Sequence, residues 1–591
     1  MSIILIFFWL AAAVLAATIL LVLLPQHCKN GRSKVRAAFA GFFAAGILLH
    51  FPMYFAEYAG GRLPVLNGIL SAFHHTLRMF VLDGELEPIK EFAKAQAGAY
   101  AAPYFLAAEA TYIAGPLLTF GVVLSFFKSA SAYLLFYVHL FSKTCIFSEL
   151  NERSLYLAES IRKNHPKTLI VFTNVRAEES DVSTEASLTP AAIGAICFRQ
   201  SIAELRLSFH RKTNTIRFFI MSEDESENIR QAAQIIRRYK SDPRMELYLF
   251  SDSTESSLLL QTMQLDGMKI RRVCDSQSLV YETLYEQETD LFEYAVPDTE
   301  GEEKLISAVI LGLGGYGTEM LKALSWFGQM DGCRLMLTAV DLQADAAGRF
   351  TLQCPELMSP ARNGTFEHGE AQYAIAIHAG VDALSERCAE LLAALPNITY
   401  LFIALGNDQR NIEAAVRWRE FCERRKLNPK IQPVVYNSAS AEMLNRATNF
   451  RGASYRIHCV GSIRERYTEQ AVLNPALEAE ALARHLLWGK EDTFWRYEFN
   501  YRSSAASALH RRMKLLRGIP GADLPPEERT TEDRDRLRLI EHRRWNAYMR
   551  SEGYSYSGSR EKGSRNDLAK LHNDLIPFDL LTESEKAKDD V

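Results

Sequence analysis

The sequence predicts a helical, membrane-embedded head followed by an α/β body of two doubly wound lobes, with a small, mainly helical domain at the C-terminus. Three observations lead there. Charge is unevenly spread: residues 1–145 hold 16 charged side chains, about 11%, whereas the other 446 residues hold 122, about 27%, so two different solvents are implied. Long uncharged apolar runs mark the first part. The second part alternates apolar strands of four to eight residues with helical patterns of ten or more, and it does so twice. At 591 residues several units are expected. A net charge of −4, from 67 Lys and Arg against 71 Asp and Glu, removes the electrostatic footprint of a protein that grips nucleic acid.

Residues 3–24 form an uncharged run of 22, long enough at about 1.5 Å per residue to cross a hydrocarbon core about 30 Å thick. No basic stretch precedes it, so a retained anchor is expected rather than a cleaved signal. Spans are also expected at 37–56, which carries only His50, and at 104–127, which carries only Glu109. Residues 63–82 contain His74, His75 and Arg78 and precede Asp83, Glu85 and Glu87, which suits a helix lying at the outer interface. Residues 129–147 follow the third span too closely for a hairpin and read as an interfacial connector, so the membrane domain is expected to be 1–147. Lys29, Arg32, Lys34 and Arg36, with no acid among them, place the first loop in the cytoplasm. The expectation is a multi-pass inner-membrane protein with its N-terminus outside and its bulk cytoplasmic. Pro52 and Pro116 are expected to kink their spans.

Glu109 either snorkels to the interface or joins a ring of carboxylates lining a cation path. Three spans cannot enclose a path alone, so a homo-oligomer in the bilayer, dimer or tetramer, is expected. No potassium-filter sequence of the TVGYG kind is present. Nine Cys without a CxxC pair or clustered His indicate neither a disulfide framework nor a metal site.

An internal repeat organises the body. IRFFIMSEDESENIRQAAQIIRR from Ile216 resembles TYLFIALGNDQRNIEAAVRWRE from Thr399, pairing Asn228 with Asn411, and MELYLFSDSTESSLLL from Met245 parallels IQPVVYNSASAEML from Ile431, setting Phe250 against Tyr436. Continuously apolar strands such as Leu169 to Phe172 and Ala308 to Leu311 belong to parallel sheets covered on both faces. Two Rossmann-like lobes are expected, at 148–297 and 298–465. Only the second has a phosphate-binding turn. After the strand SAVIL come Gly312, Gly314, Gly315 and Gly317, then the helical pattern TEMLKALSWF, and Asp341 ends the next strand 24 residues beyond Gly317. Glycines permit a tight turn against a pyrophosphate, the helix N-terminus offers amides and positive dipole, and the acid accepts from a ribose hydroxyl. Asn407, in the polar turn of the repeat, is counted with this site. A turn kept only for tight packing is the alternative. The first lobe has TLIVFTNV at the expected equivalent point and no glycines, and its acidic turn Glu223, Asp224 and Glu225 is either solvated or a separate ligand contact.

The pore-like head followed by GLGGYG and the doubled strand, turn, Asn-Ile, helix signature resembles the RCK or TrkA-N family of gating domains, over roughly Ser148 to Ile463. The resemblance implies a bound nucleotide or dinucleotide (NAD, ADP-ribose-like or cyclic nucleotide) whose binding opens an attached pore. Beyond a helical connector and linker at 466–539, with GIPGADLPPEERTTEDRDR read as an exposed loop, residues 540–591 resemble the RyR domain of ryanodine receptors through His542, Trp545, Gly553, Tyr556, Gly558, His572, Pro577 and Phe578. They depart from it at Tyr554 and Asn573, where Trp and Pro are usual. Trp545, Tyr554 and Tyr556 beside His542, Arg502 and Arg560 are candidates to stack a base and neutralise phosphate, or the aromatics are simply the core of a small module.

No triad, paired carboxylates or metal cluster adjoins the turn, and His378, Asp382 and His458 are isolated, so catalysis is not expected. The reading is a nucleotide-gated channel or pore-forming effector, of the kind found in bacterial antiphage defence. A housekeeping ion-transport regulator of TrkA type and a membrane-anchored NAD-dependent enzyme are the alternatives.

Overall fold

The computed structural model describes residues 3–23, 31–126, 136, 143–175, 188–205, 207, 215–253, 256–258, 267–286, 291–297, 303–358 and 373–590. The chain divides into two compact units, 1–140 with 196–199, and 141–195 with 200–591.

The first unit contains α1 (Ile3–Leu23), α2 (Gly31–Glu57), α3 (Pro64–Phe80), α4 (Glu87–Gln96) and α5 (Ala101–Phe126). Among the described residues three helices are long and apolar enough to cross a membrane, over Ile3–Leu21, Ala37–Glu57 and Gly98–Val123. α2 and α5 run through Pro52 and Pro116 as continuous helices. Close approach depends on small residues: a Cβ at Gly41 would fall 2.0 Å from Thr18 Oγ1 on α1. Phe8, Ala11, Leu49, Tyr104 and Ala108 fill the centre. α3 has 17 residues and leaves Val65, Leu66, Ile69, Leu70 and Phe73 exposed, while His75 turns inward and meets the Tyr54 hydroxyl at 2.8 Å. Glu109 is half-buried on α5. The expected connector at 129–147 lies outside the described residues as far as 142, apart from Phe136.

Among the described residues after 142 the strands of the two large sheets are β1 (Thr144–Phe147), β2 (Leu169–Phe172), β3 (Ile196–Cys197), β4 (Ile216–Ile220), β5 (Met245–Phe250), β6 (Lys269–Val273), β7 (Val296–Pro297), β8 (Lys304–Leu311), β9 (Cys333–Asp341), β10 (Tyr373–Ala379), β11 (Tyr400–Ile403) and β12 (Lys430–Pro433). The first sheet has the order β3-β2-β1-β4-β5-β6 and the second β10-β9-β8-β11-β12, with β7 antiparallel on β8. Read from the central strand outward, each follows the doubly wound order 3-2-1-4-5 of a Rossmann lobe. Hydropathy alone misplaced one boundary. Thr144 to Phe147 is not an interfacial segment but the fully buried strand between β2 and β4, so the first lobe begins before residue 148. Likewise β7 puts the start of the second lobe before 298.

The helices that matter below are α6 (Glu225–Tyr239), α7 (Asp275–Tyr285), α8 (Gly315–Phe327), α9 (Asp408–Arg424), α10 (Pro475–His485), α11 (Glu498–Leu516) and α12 (Thr531–Ser551). The repeated Asn is a staple. Asn411 Oδ1 accepts from Leu405 N at 2.6 Å and its Nδ2 donates to Val434 O at 2.7 Å; Asn228 accepts from Ser222 N at 2.8 Å and donates to Phe250 O at 3.1 Å. Each ties the turn before its helix to the end of the next strand, and these bonds match Phe250 with Val434 rather than with Tyr436. Asn411→Ala leaves two buried backbone groups unpaired and is expected to cost about 2–3 kcal/mol, read as a lower urea midpoint; a loss under about 0.5 kcal/mol would count against the staple.

The C-terminal 120 or so residues are not separate domains. One core joins Leu279 and Val280 of α7, Leu324 and Trp326 of α8, Leu509 and Met513 of α11, Tyr548 of α12 and Leu575. The supposed loop is helical from Thr531: Thr530 accepts from Asp533 N, and Glu532 and Asp533 form an acidic first turn, so a charge-rich stretch conceals a capped helix start.

Candidate functional site

β8 ends buried at Leu311 and the chain turns through Gly312 at φ +92°, where a Cβ would lie 2.3 Å from the Ala404 carbonyl oxygen. A Cβ at Gly317 would lie 1.7 Å from the Gly312 oxygen, so the first turn of α8 sits directly on the loop. Gly314 differs. It precedes α8 with extended backbone, is exposed, and a Cβ there would meet nothing within 4 Å. A Cβ at Gly315 would lie 3.7 Å from the Cβ of Ser276, an ordinary contact. No acidic residue occupies the first turn of α8, which leaves its amides and dipole available to an anion. Asp341, half-buried at the end of β9, accepts from Leu313 N at 2.6 Å and Gln343 N at 2.7 Å, which anchors its carboxylate beside the turn. Arg466 lies over the Tyr316 ring at 5.3 Å and pairs with Asp275 at 3.2 Å, bringing to the turn a cation that no local sequence pattern flagged.

Asn407 leaves this site. Its side chain accepts from Arg410 N at 2.9 Å and caps α9, as Asp224 accepts from Ser226 N and caps α6. Within the same acidic turn Glu225 accepts from Ser253 N at 2.9 Å, matching Asp408, which accepts from Tyr436 N at 2.8 Å. The acidic turn is therefore framework. Strand order also moves the first lobe's equivalent of the glycine turn: it follows β1, at Ser148 to Arg153, rather than lying in TLIVFTNV, which is β2. No glycine occurs there either.

A cavity of about 550 Å³ opens among α10, α11, α12 and the last fifty residues. His542 and Trp545 line it, with the His572 ring edge-on to Trp545 at 5.0 Å. The other expected ligand contacts do not. Arg502 is consumed by Glu552 at 2.8 Å. The Tyr554 hydroxyl donates to Asp567 at 3.2 Å and its ring packs near Phe499. Tyr556 forms a short strand and its amide donates to Glu356 at 3.0 Å. Arg560 braces Glu585 at 3.1 Å. Trp545 is half-buried, so it both packs against the core and walls the cavity.

At one end of the cavity lies Glu541, buried, with Arg544 at 2.9 Å, Lys514 at 3.4 Å and His510 at 3.9 Å. Burial opposes the Glu541 charge, yet Arg544 and Lys514 outweigh it and hold the carboxyl well below its ordinary range. Burial, opposed by Glu541 but reinforced by Arg484 and Arg544, pulls Lys514 down to about 8. Burial and Lys514 lower His510 to about 3, so it is neutral. Between pH 8 and 10.5 the unfolded chain binds the Lys514 proton and the folded chain does not, so stability rises with pH across that window. Wild type minus Lys514→Met, followed by chemical denaturation at several pH values, is expected to show a rise of about 2–3 kcal/mol; a flat difference would remove the buried-lysine account.

No family model and no curated protein matches the chain. Among solved structures, GsuK bound to ADP is 12% identical, with the match covering 76% of this chain and 98% of that one at a TM-score of 0.33. A dipicolinate synthase structure from Bacillus halodurans is 10% identical, over 64% and 99%, at 0.19. Neither carries weight at such overlap, and the Rossmann-like assignment rests on the strand orders and the turn.

Proposed function

We propose that this chain is a nucleotide-gated membrane channel or pore-forming effector, whose second Rossmann-like lobe, of RCK type, senses a nucleotide or dinucleotide on the cytoplasmic side. The observation that carries it is the open, acid-free N-terminus of α8 at Gly314, held beside Asp341 by a turn that tolerates no side chain at Gly312 or Gly317. Three apolar helices in the same chain supply the element to be gated. The nucleotide acts through its different affinity for two arrangements of those helices. Homo-oligomerisation supplies the closed path, with Glu109 its pore-facing candidate, and the C-terminal module belongs to the RyR type.

The test is ion flux from liposomes carrying the full chain, with NAD, ADP and a cyclic dinucleotide added in turn. Flux that depends on one of them supports the reading. Steady NADH turnover with no flux under any of them would replace it with a membrane-anchored enzyme.

A further inference from the structure

Beyond the glycine turn, the C-terminal module holds an electrostatic imbalance. Lys514 and Arg544 pair with the single carboxylate of Glu541, Arg484 adds a further positive charge within its field, and the neighbouring His510 is neutral. Lys514, Arg544 and Glu541 have side chains only 3% exposed. Arg484 reaches Ser507 Oγ at 3.5 Å through Nε, and its buried Nη2 has no partner among the described residues; Nη1 of Arg544 has none either. Unpaired guanidinium nitrogens away from water are costly, and both arginines are among the residues that line the cavity. The opposite wall is balanced. Asp574 meets Lys588 at 3.5 Å, Glu585 meets Arg560 at 3.1 Å and Asp589 meets His542 at 3.3 Å. The surplus is therefore cationic, with Arg484 and Arg544 at the buried end and Lys562 also in the lining.

Aromatic rings stand among serine, asparagine and aliphatic side chains in the rest of the lining. Trp545 and Phe499 are half-buried, and Trp488 stands exposed at the opening together with Lys562. A volume of about 550 Å³ lies within the range of small-ligand pockets. Flat rings offer faces to a planar group, and a cationic end with free N–H donors suits phosphate.

We propose that this cavity is a second ligand site, separate from the glycine turn, for a nucleoside phosphate whose phosphate meets Arg484 and Arg544 and whose base lies against Trp545. It rests on the charge and shape of the C-terminal module and stands whether or not the turn binds anything.

Calorimetry on the full chain in detergent tests it, with ADP, GDP, UDP and 3′,5′-cyclic AMP as probes and pyrophosphate as the probe lacking a ring. Gly314→Asp protein is expected to keep one binding event for at least one nucleotide. Adding Arg484→Gln should weaken that event tenfold or more, while Trp545→Ala should weaken the nucleotide tenfold or more and leave pyrophosphate within about twofold. Since Nη2 of Arg484 is buried without a partner among the described residues, Arg484→Gln alone should leave the melting temperature of ligand-free protein unchanged or raised, and should shrink the rise that nucleotide produces. Absence of binding by every probe to Gly314→Asp protein overturns the proposal, as does undiminished binding to the Arg484→Gln variant. Loss of the turn site alone, with the cavity event intact, would leave this proposal standing; full binding at two sites in Gly314→Asp would instead sink the turn assignment.

Discussion

Gly314→Asp is expected to remove one nucleotide-binding event per chain, with affinity at the turn falling about 100-fold or more, while the melting temperature stays within a degree or two. The position has open space around its missing Cβ, so the new side chain fits. Its carboxylate, however, occupies the end of α8 where an anionic ligand would sit, and it satisfies the amides that the ligand would use. Gly317→Ala gives the opposite pattern. Its methyl falls 1.7 Å from the Gly312 oxygen, so the strand-turn-helix junction must shift and stability falls by several kcal/mol. The pair separates a binding defect from a folding defect through calorimetry and thermal denaturation of the same proteins. A Gly314→Asp protein that binds as wild type would show that the turn serves packing only.

Trp326→Ala is expected to lower stability by about 3–5 kcal/mol and to do so for the second lobe and the C-terminal module together. Trp326 is 2% exposed on α8, edge-on to Tyr281 of α7 at 5.8 Å and to Tyr548 of α12 at 6.1 Å. Its removal opens a void at the point where three segments far apart in sequence meet. Urea unfolding followed by limited proteolysis of the C-terminal fifty residues reads both parts. A module that keeps its protection while the lobe unfolds would be an independent domain, contrary to the shared core.

Local patterns were readable because their physics is local. Uncharged runs of about twenty residues, strands followed by amphipathic helices, and glycines at fixed spacing each report on their own segment, and the described residues contain three such apolar helices and two sheets of the same winding. The repeat was visible for the same reason, since Asn228 and Asn411 each bond within one strand-turn-helix unit. What failed were assignments of a role to a side chain whose actual hydrogen-bond or ion-pair partner the pattern did not reveal. Asn407 looked like a ligand contact and is a helix cap; Arg502 looked like a phosphate cation and is spent on Glu552, fifty residues away. The tetrad TCIF is as apolar as a membrane segment, and only its pairing with β2 and β4 makes it a core strand.

The sequence by itself determined the apolar head, the doubled α/β body and the phosphate-type turn, because hydropathy, periodicity and the absence of a Cβ act over a few residues. Tertiary structure alone decided that the C-terminal module shares one core with the lobe, and that Lys514 and Arg544 share one carboxylate at the end of a cavity that Arg484 also lines. Charge balance in a buried site depends on which side chains are brought within a few ångströms, and residues 484, 514, 541 and 544 carry no spacing that announces it.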